Sequence, residues 1–368
     1  MLKLSRFYIT IALAATLLAG CGQKEEVPQE TPVVENAEAV QEEVIETEEK
    51  ESLMVNGVDY LSTDGIELHK GASIAMVATN ADNIFYDIVK SGAAKAVEDL
   101  NTALGYSGKD KVKFSYAAAK GQDVIEQINI IDQFLDKAPD VLCVAFTDAS
   151  ACKTQMDIAK NNGIKTIAFD TADDSGLTES IVATDNQAAA RAAAQKMFEA
   201  IDYEGKIAIL VHNSLTQTGQ LRKQAIIDEM TENYNDKNIQ FVEIVYTAQD
   251  ERSETEILSE LLADYADLAG IICTDLKTTE MVIDYAKKTD TMNLKVVGFD
   301  TSKKIISEVG GVLTGTMAQD PYRMGYATVV AAARAAVGLE NPAHIETGHL
   351  WIDTSNVQRE EVQSVLNY

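Results

Sequence analysis

The sequence predicts an α/β protein of two doubly wound parallel-sheet domains. Three observations carry this. From about residue 70 onward, short β-branched apolar runs alternate strictly with longer amphipathic stretches. Several of those runs are apolar throughout, as strands buried on both faces must be. The chain has 368 residues, which at about 150 residues per domain points to two or three domains.

The elements follow in order. Residues 1–20 carry Lys3 and Arg6 ahead of an apolar stretch from Phe7 to Leu18. That stretch is short for a membrane span and right for the core of a signal peptide. Leu18-Ala19-Gly20-Cys21 then resembles a bacterial lipobox, where the signal is cut before the cysteine and the thiol of Cys21 is lipidated, palmitate included. Residues 22–52 are rich in Glu, Pro, Gln, Thr and Val and nearly free of aromatics, so they cannot bury enough apolar surface to fold. The expectation is an acidic disordered tether over 21–69, with the folded domains starting at 70.

Strands are predicted at 73–78, 111–118, 141–146, 165–170, 180–185, 206–212, 239–246, 270–275 and 295–300. Helical patterns lie between them at 85–104, 122–136, 149–161, 187–202, 218–234, 253–265, 277–288 and 320–338. Nine strands fit two sheets better than one. Asp170, Asp185, Thr274-Asp275 and Asp300 end strands at the carboxyl edge, where open parallel sheets bind ligands. Each taken singly reads equally as a cap on the next helix. Their recurrence in both halves points to a shared polar cleft.

Composition and missing motifs narrow the function. With 31 basic against 58 acidic residues, the formal net charge of -27 disfavours nucleic acid as a partner. Four cysteines are too few for a disulfide scaffold, and four histidines show no paired spacing for zinc. Cys143, Cys152 and Cys273 read as core thiols and Trp351 as packing; His212 ends a strand and could face a cleft, although a lone histidine is more often structural. There is no Gly-rich phosphate loop, no G-x-S-x-G elbow and no H-E-x-x-H. The absence of a nucleophile, a metal set and a cofactor loop favours a binding protein over an enzyme, with no cofactor.

Three stretches together resemble the type I periplasmic sugar-binding proteins of ABC importers. They are Asn83-Ile84-Phe85-Tyr86 with Gly92-Ala93, Val297-Gly298-Phe299-Asp300, and Met317-Ala318-Gln319-Asp320-Pro321-Tyr322 with Gly325-Tyr326. Weaker matches are Phe169-Asp170, Ala183-Thr184-Asp185-Asn186 and Gly219-Gln220-Leu221-Arg222. The resemblance implies two domains joined by a three-segment hinge that closes on a ligand. It places the crossovers near 184–186, 319–320 and 348–350, with 70–184 plus 320–348 in one lobe and 185–319 plus 349–368 in the other. Repressors with this core carry an N-terminal helix-turn-helix, and here a signal and an acidic tether stand there instead.

The resemblance also implies the site. Phe85 and Tyr86 would cover the apolar face of a sugar, while Asp170 and Asp300 accept its hydroxyl protons. Asn83, Thr171, Gln220, Arg222, Thr274, Asp275 and Gln319 match further polar positions. Ribose-type members carry arginines where Thr171 and Gln220 stand, so ribose and phosphorylated ligands are disfavoured. The implied function is a monomeric, lipid-anchored protein on the extracytoplasmic face of the membrane that hands a small neutral sugar or polyol to an ABC permease. The alternative is a nucleoside-binding or ligand-presenting sensor lipoprotein of the same fold.

Overall fold

The computed structural model describes residues 52–172, 176–289 and 294–366. The signal, Cys21 and the acidic run up to residue 51 lie outside the described residues. The chain first forms a hairpin of β1 (Met54–Val55) and β2 (Val58–Asp59). It then runs β3 (Ser73–Ala78), α1 (Ile84–Leu104), β4 (Lys113–Ala118), α2 (Val124–Leu135), β5 (Val141–Val144), α3 (Lys153–Asn161), β6 (Lys165–Phe169) and β7 (Ser180–Ala183). The next series is α4 (Asn186–Ala200), β8 (Glu204–Val211), α5 (Gln217–Asn233), β9 (Asn238–Tyr246), α6 (Glu254–Asp264), β10 (Leu268–Cys273), α7 (Leu276–Thr289), β11 (Lys295–Phe299), α8 (Lys303–Ser307) and β12 (Gly315–Gln319). The last series is α9 (Pro321–Ala336), β13 (His344–Glu346), β14 (His349–Ile352) and α10 (Glu360–Leu366).

The strands form two six-stranded sheets, ordered β13-β7-β6-β5-β3-β4 and β14-β12-β11-β10-β8-β9. Pairs in the first sheet are parallel. In the second, β14 runs antiparallel to β12 and the other pairs are parallel. The buried strands consist of residues that a two-sided sheet rewards, such as Val141-Leu142-Cys143-Val144, all fully buried. One face of the first sheet packs on α1 and α9, the other on α2 and α3. The second sheet is covered by α4 and α5 on one face and by α6 and α7 on the other. This is the expected doubly wound α/β architecture with two domains.

Strand order places the site. In each sheet the strand order reverses beside the domain's first strand, between β3 and β5 and between β8 and β10. Loops diverge at such points and leave a crevice at the carboxyl ends of the strands. The chain passes between the sheets after β7, after β12 and after β13. So α4 follows a strand of the first sheet yet packs on the second, and α9 does the reverse. Two glycines allow α9 to close on α1. A Cβ on Gly92 would lie 2.0 Å from the Tyr322 carbonyl oxygen, and one on Gly325 1.8 Å from that of Val89.

The predicted strands and helices are present, with ends shifted by a few residues. Among the described residues, five strands, β1, β2, β12, β13 and β14, fall outside the nine predicted ranges. The tether expectation needs correction over 52–69. Tyr60 is fully buried, Ile66 and Leu68 nearly so, and Leu53, Val55, Val58 and Leu61 pack against the same core. Tyr60 Oη donates to Asn341 Oδ1 at 3.0 Å, and Asp59 Oδ1 accepts from the N–H groups of Leu53 and Leu61, both at 2.9 Å. The acidic composition stops near residue 51, and apolar residues then recur often enough to bury a face. Cys143, Cys152 and Cys273 are buried free thiols, as expected, and burial raises their pKa values, that of Cys152 to about 12. Among the described residues, no helix is long and apolar enough to cross a membrane.

Candidate functional site

Ten of the eleven sequence-predicted site residues surround one cavity at the carboxyl ends of the two sheets: Asn83, Phe85, Tyr86, Asp170, Thr171, Arg222, Thr274, Asp275, Asp300 and Gln319. The space between their atoms, counted out into the open mouth, is about 520 Å³.

From the first sheet come the aromatic pair and one carboxylate. Asn83 caps α1, its Oδ1 accepting from Phe85 N–H at 3.0 Å, which sets the next two rings at the helix start. Phe85 and Tyr86 meet edge to face at 5.2 Å. Tyr86 Oη donates to Asp170 Oδ2 at 2.5 Å and accepts from Thr79 Oγ1 at 2.9 Å. Tyr86 therefore holds Asp170 in place as well as offering a ring. Burial raises the Asp170 carboxyl pKa to about 6, against the pull of the Tyr86 hydrogen bond and the Arg222 charge.

The second sheet contributes the other carboxylate and the cation. Asp300 Oδ1 accepts from Gln319 Nε2 at 2.6 Å, and Oδ2 from the Leu276 N–H that starts α7, at 2.8 Å. Burial raises its pKa as well. Arg222 on α5 is 3% exposed. Its Nη1 donates to the Thr274 carbonyl at 2.7 Å, its Nε to Asn186 Oδ1 at 2.8 Å, and its Cζ lies 3.9 Å from the centre of the Phe299 ring. Asp275 is mainly a cap on α7: its Oδ1 accepts from Thr278 N–H at 2.9 Å. Asp185, likewise, caps α4 through Ala188 N–H. Asp170 and Asp300 do not cap the helices that directly follow them in this way.

Three buried polar atoms around the cavity have no hydrogen-bond partner among the described residues: Arg222 Nη2, Thr171 Oγ1 and Gln319 Oε1. Buried donors and acceptors are rarely left so.

Gln220 is not brought to the cavity. On α5 the face toward the cavity carries Thr218, Gly219 and Arg222, and Gln220 sits about 100° round the helix from Gly219. Its Nε2 donates to the Ser214 carbonyl at 2.7 Å, and its Oε1 accepts from Lys223 Nζ at 2.8 Å. Sequence reasoning missed Gln122, Asn213, Thr216 and Thr218, which also line the cavity; His212, for which a cleft position was the less favoured of two readings, lines it too. His212, Asn213, Thr216 and Thr218 follow the end of β8, beside the second sheet's order reversal, a position that topology could have flagged, whereas Gln122 follows the edge strand β4. Asn213 Nδ2 donates to Gln122 Oε1 at 2.6 Å, joining the two domains across the mouth.

A family model described as "Periplasmic binding protein domain" matches residues 74–340. The ribose import binding protein of Bacillus subtilis (strain 168) is 21% identical over 264 residues, 72% of this chain and 81% of that protein. A carbohydrate transporter solute-binding protein from Agrobacterium radiobacter, solved in complex with D-arabinose, is similar with a TM-score of 0.73 and 24% identity, over 80% of this chain and 99% of that one. An ABC transporter solute-binding protein from Agrobacterium vitis, bound with alpha-D-tagatopyranose, has a TM-score of 0.72 and 24% identity over the same shares.

Proposed function

Because the chain belongs to the periplasmic binding protein family and has its type I fold, we propose that it captures a small neutral sugar or polyol in the interdomain cavity and delivers it to an ABC importer. The observation that carries this is the set of three partnerless buried atoms beside two buried carboxylates. A sugar hydroxyl both donates and accepts, so neighbouring hydroxyls can give protons to Asp170 and Asp300 while taking one from Arg222 Nη2. The apolar C–H face of the ring then lies on Phe85 and Tyr86. With Asp170, Asp275 and Asp300 around one arginine, the wall disfavours a phosphate or a sugar acid. A nucleobase needs rings on both sides, and Phe85 and Tyr86 adjoin each other on one element.

The remaining features complete the proposal. Residues 70–184 with 320–348 form one lobe, now extended back to residue 52, and 185–319 with 349–368 the other; they close about the three crossovers. Cys21 anchors a monomer by lipid to the extracytoplasmic face of the membrane. Mass spectrometry of the small molecule released when the purified protein is denatured tests the ligand class. A neutral sugar or polyol is expected; a nucleoside or a phosphorylated compound would overturn the reading.

A further inference from the structure

We infer that Asn186 is a positioning residue that orients Arg222 toward the ligand and ties that orientation to the hinge. The inference rests on the cavity being the ligand site. Asn186 is the first residue of α4, directly after the first crossover, and is 7% exposed. It contributes no cap, because Asp185 already supplies one. Its side chain makes two contacts instead. Oδ1 accepts from Arg222 Nε at 2.8 Å, and Nδ2 donates to the Thr184 carbonyl at 3.1 Å. The chemistry forces this orientation: Arg222 can only donate and a carbonyl can only accept, so the amide cannot be reversed without losing both bonds.

A guanidinium is rigid and planar, so fixing two nitrogens fixes the third. Asn186 holds Nε, the Thr274 carbonyl holds Nη1, and the Phe299 ring covers the face. Nη2 is left as the donor without a partner among the described residues. Without Asn186, the plane could turn on the Phe299 ring about its one remaining hydrogen bond, to the Thr274 carbonyl. The other end of the amide reaches the hinge. Thr184 lies on the first crossover, and its Oγ1 is 3.4 Å from the carbonyl oxygen of Gly348 on the third. A rotation of the crossover that moves the Thr184 carbonyl away from α4 therefore removes one of the two bonds that set the Asn186 amide.

The test uses nuclear magnetic resonance on the purified full chain, following hydrogen exchange at Arg222 Nε and assigning that signal by its loss in Arg222→Lys. The Nε proton should exchange slowly in the wild type. Asn186→Leu, which keeps the bulk but not the acceptor, should speed its exchange tenfold or more, and Asn186→Asp, which keeps the acceptor, should restore protection. With D-arabinose, D-tagatose and D-ribose as probes, whichever binds the wild type should bind Asn186→Leu about tenfold more weakly, with the melting temperature little changed. Unchanged Nε exchange in Asn186→Leu overturns the inference, as does weakened binding explained by a large drop in melting temperature. If none of the three sugars binds the wild type, the sugar reading is what suffers, and the exchange rates still decide the role of Asn186.

Discussion

Asp170 follows β6 and Asp300 follows β11, each the fourth strand of its own sheet in chain order, and both take a left-handed backbone, with φ of 57° and 68°. Each donates its N–H to the next strand, Asp170 to the Val182 carbonyl at 3.0 Å and Asp300 to that of Met317 at 2.8 Å. A non-glycine residue in that region costs of order 1–3 kcal/mol, and Asp is among the types that tolerate it best. The same turn in both domains directs both carboxylates into the crevice between them. Replacing Asp300 by Ala should weaken sugar binding about ten- to a hundredfold, since hydrogen bonds to charged groups contribute roughly 1.5–3 kcal/mol. It should also lower apo stability by about 1 kcal/mol through the lost bond to Leu276 N–H. Calorimetric titration and melting of the same variant separate the two effects; affinity equal to wild type would remove Asp300 from the site.

Binding should depend on pH through Asp170. Its folded pKa of about 6 lies above the ordinary 3.8, so the folded state holds that proton more tightly than the unfolded one. The stability this contributes is present below about pH 4 and is lost as pH rises toward 6. Ligand hydroxyls favour the ionised carboxylate, so affinity should fall as pH drops below about 6. Asp170→Asn keeps an oxygen for Tyr86 Oη and abolishes the titration. Titrations from pH 5 to 8 (roughly, a range spanning the shifted pKa) should slope for the wild type and lie flat for the variant. A wild-type slope surviving in Asp170→Asn would assign the dependence elsewhere.

A chain starting at Gly71 should be markedly less stable than one starting at Glu51. Removing Tyr60, Ile66 and Leu68 takes three buried side chains from the first domain, each contributing about 1.5–3 kcal/mol on full burial. Denaturant melts of the two chains check this, and equal midpoints would show that the segment merely rests on the surface.

That segment also shows where the sequence was legible and where it was not. The strands β5 and β10 stood out because a strand buried on both faces is apolar throughout, and β3 and β6 because they turn apolar after one or two polar residues. Residues 52–69 carry no such run, and their apolar residues matter only against a core built by α1 and α9, far along the chain. Asp170 and Asp300 were readable because strand-end carboxylates recur at one edge. Gln220 was assigned with its neighbour Arg222, and the two differ only in helical phase, which a few residues of pattern cannot fix. Gln122 and Asn213 lie in loops without periodicity, so only the strand order brings them to the mouth.

Cys21→Ala should release the protein from the membrane fraction or leave the signal uncleaved, because the lipobox has no other thiol. Cell fractionation and electrophoretic mobility report both outcomes. A variant that fractionates and migrates like the wild type would contradict lipid anchoring.

The cavity between the two sheets is proposed to bind a neutral sugar through Arg222, Asp170 and Asp300. The most direct test is calorimetric titration of the wild type and Arg222→Leu with neutral pentoses, hexoses and polyols, alongside sugar phosphates and nucleosides. One-to-one binding of at least one neutral sugar or polyol by the wild type is expected, with its loss in Arg222→Leu. Binding of a sugar phosphate or a nucleoside in place of every neutral sugar, or sugar binding undiminished in Arg222→Leu, would contradict it.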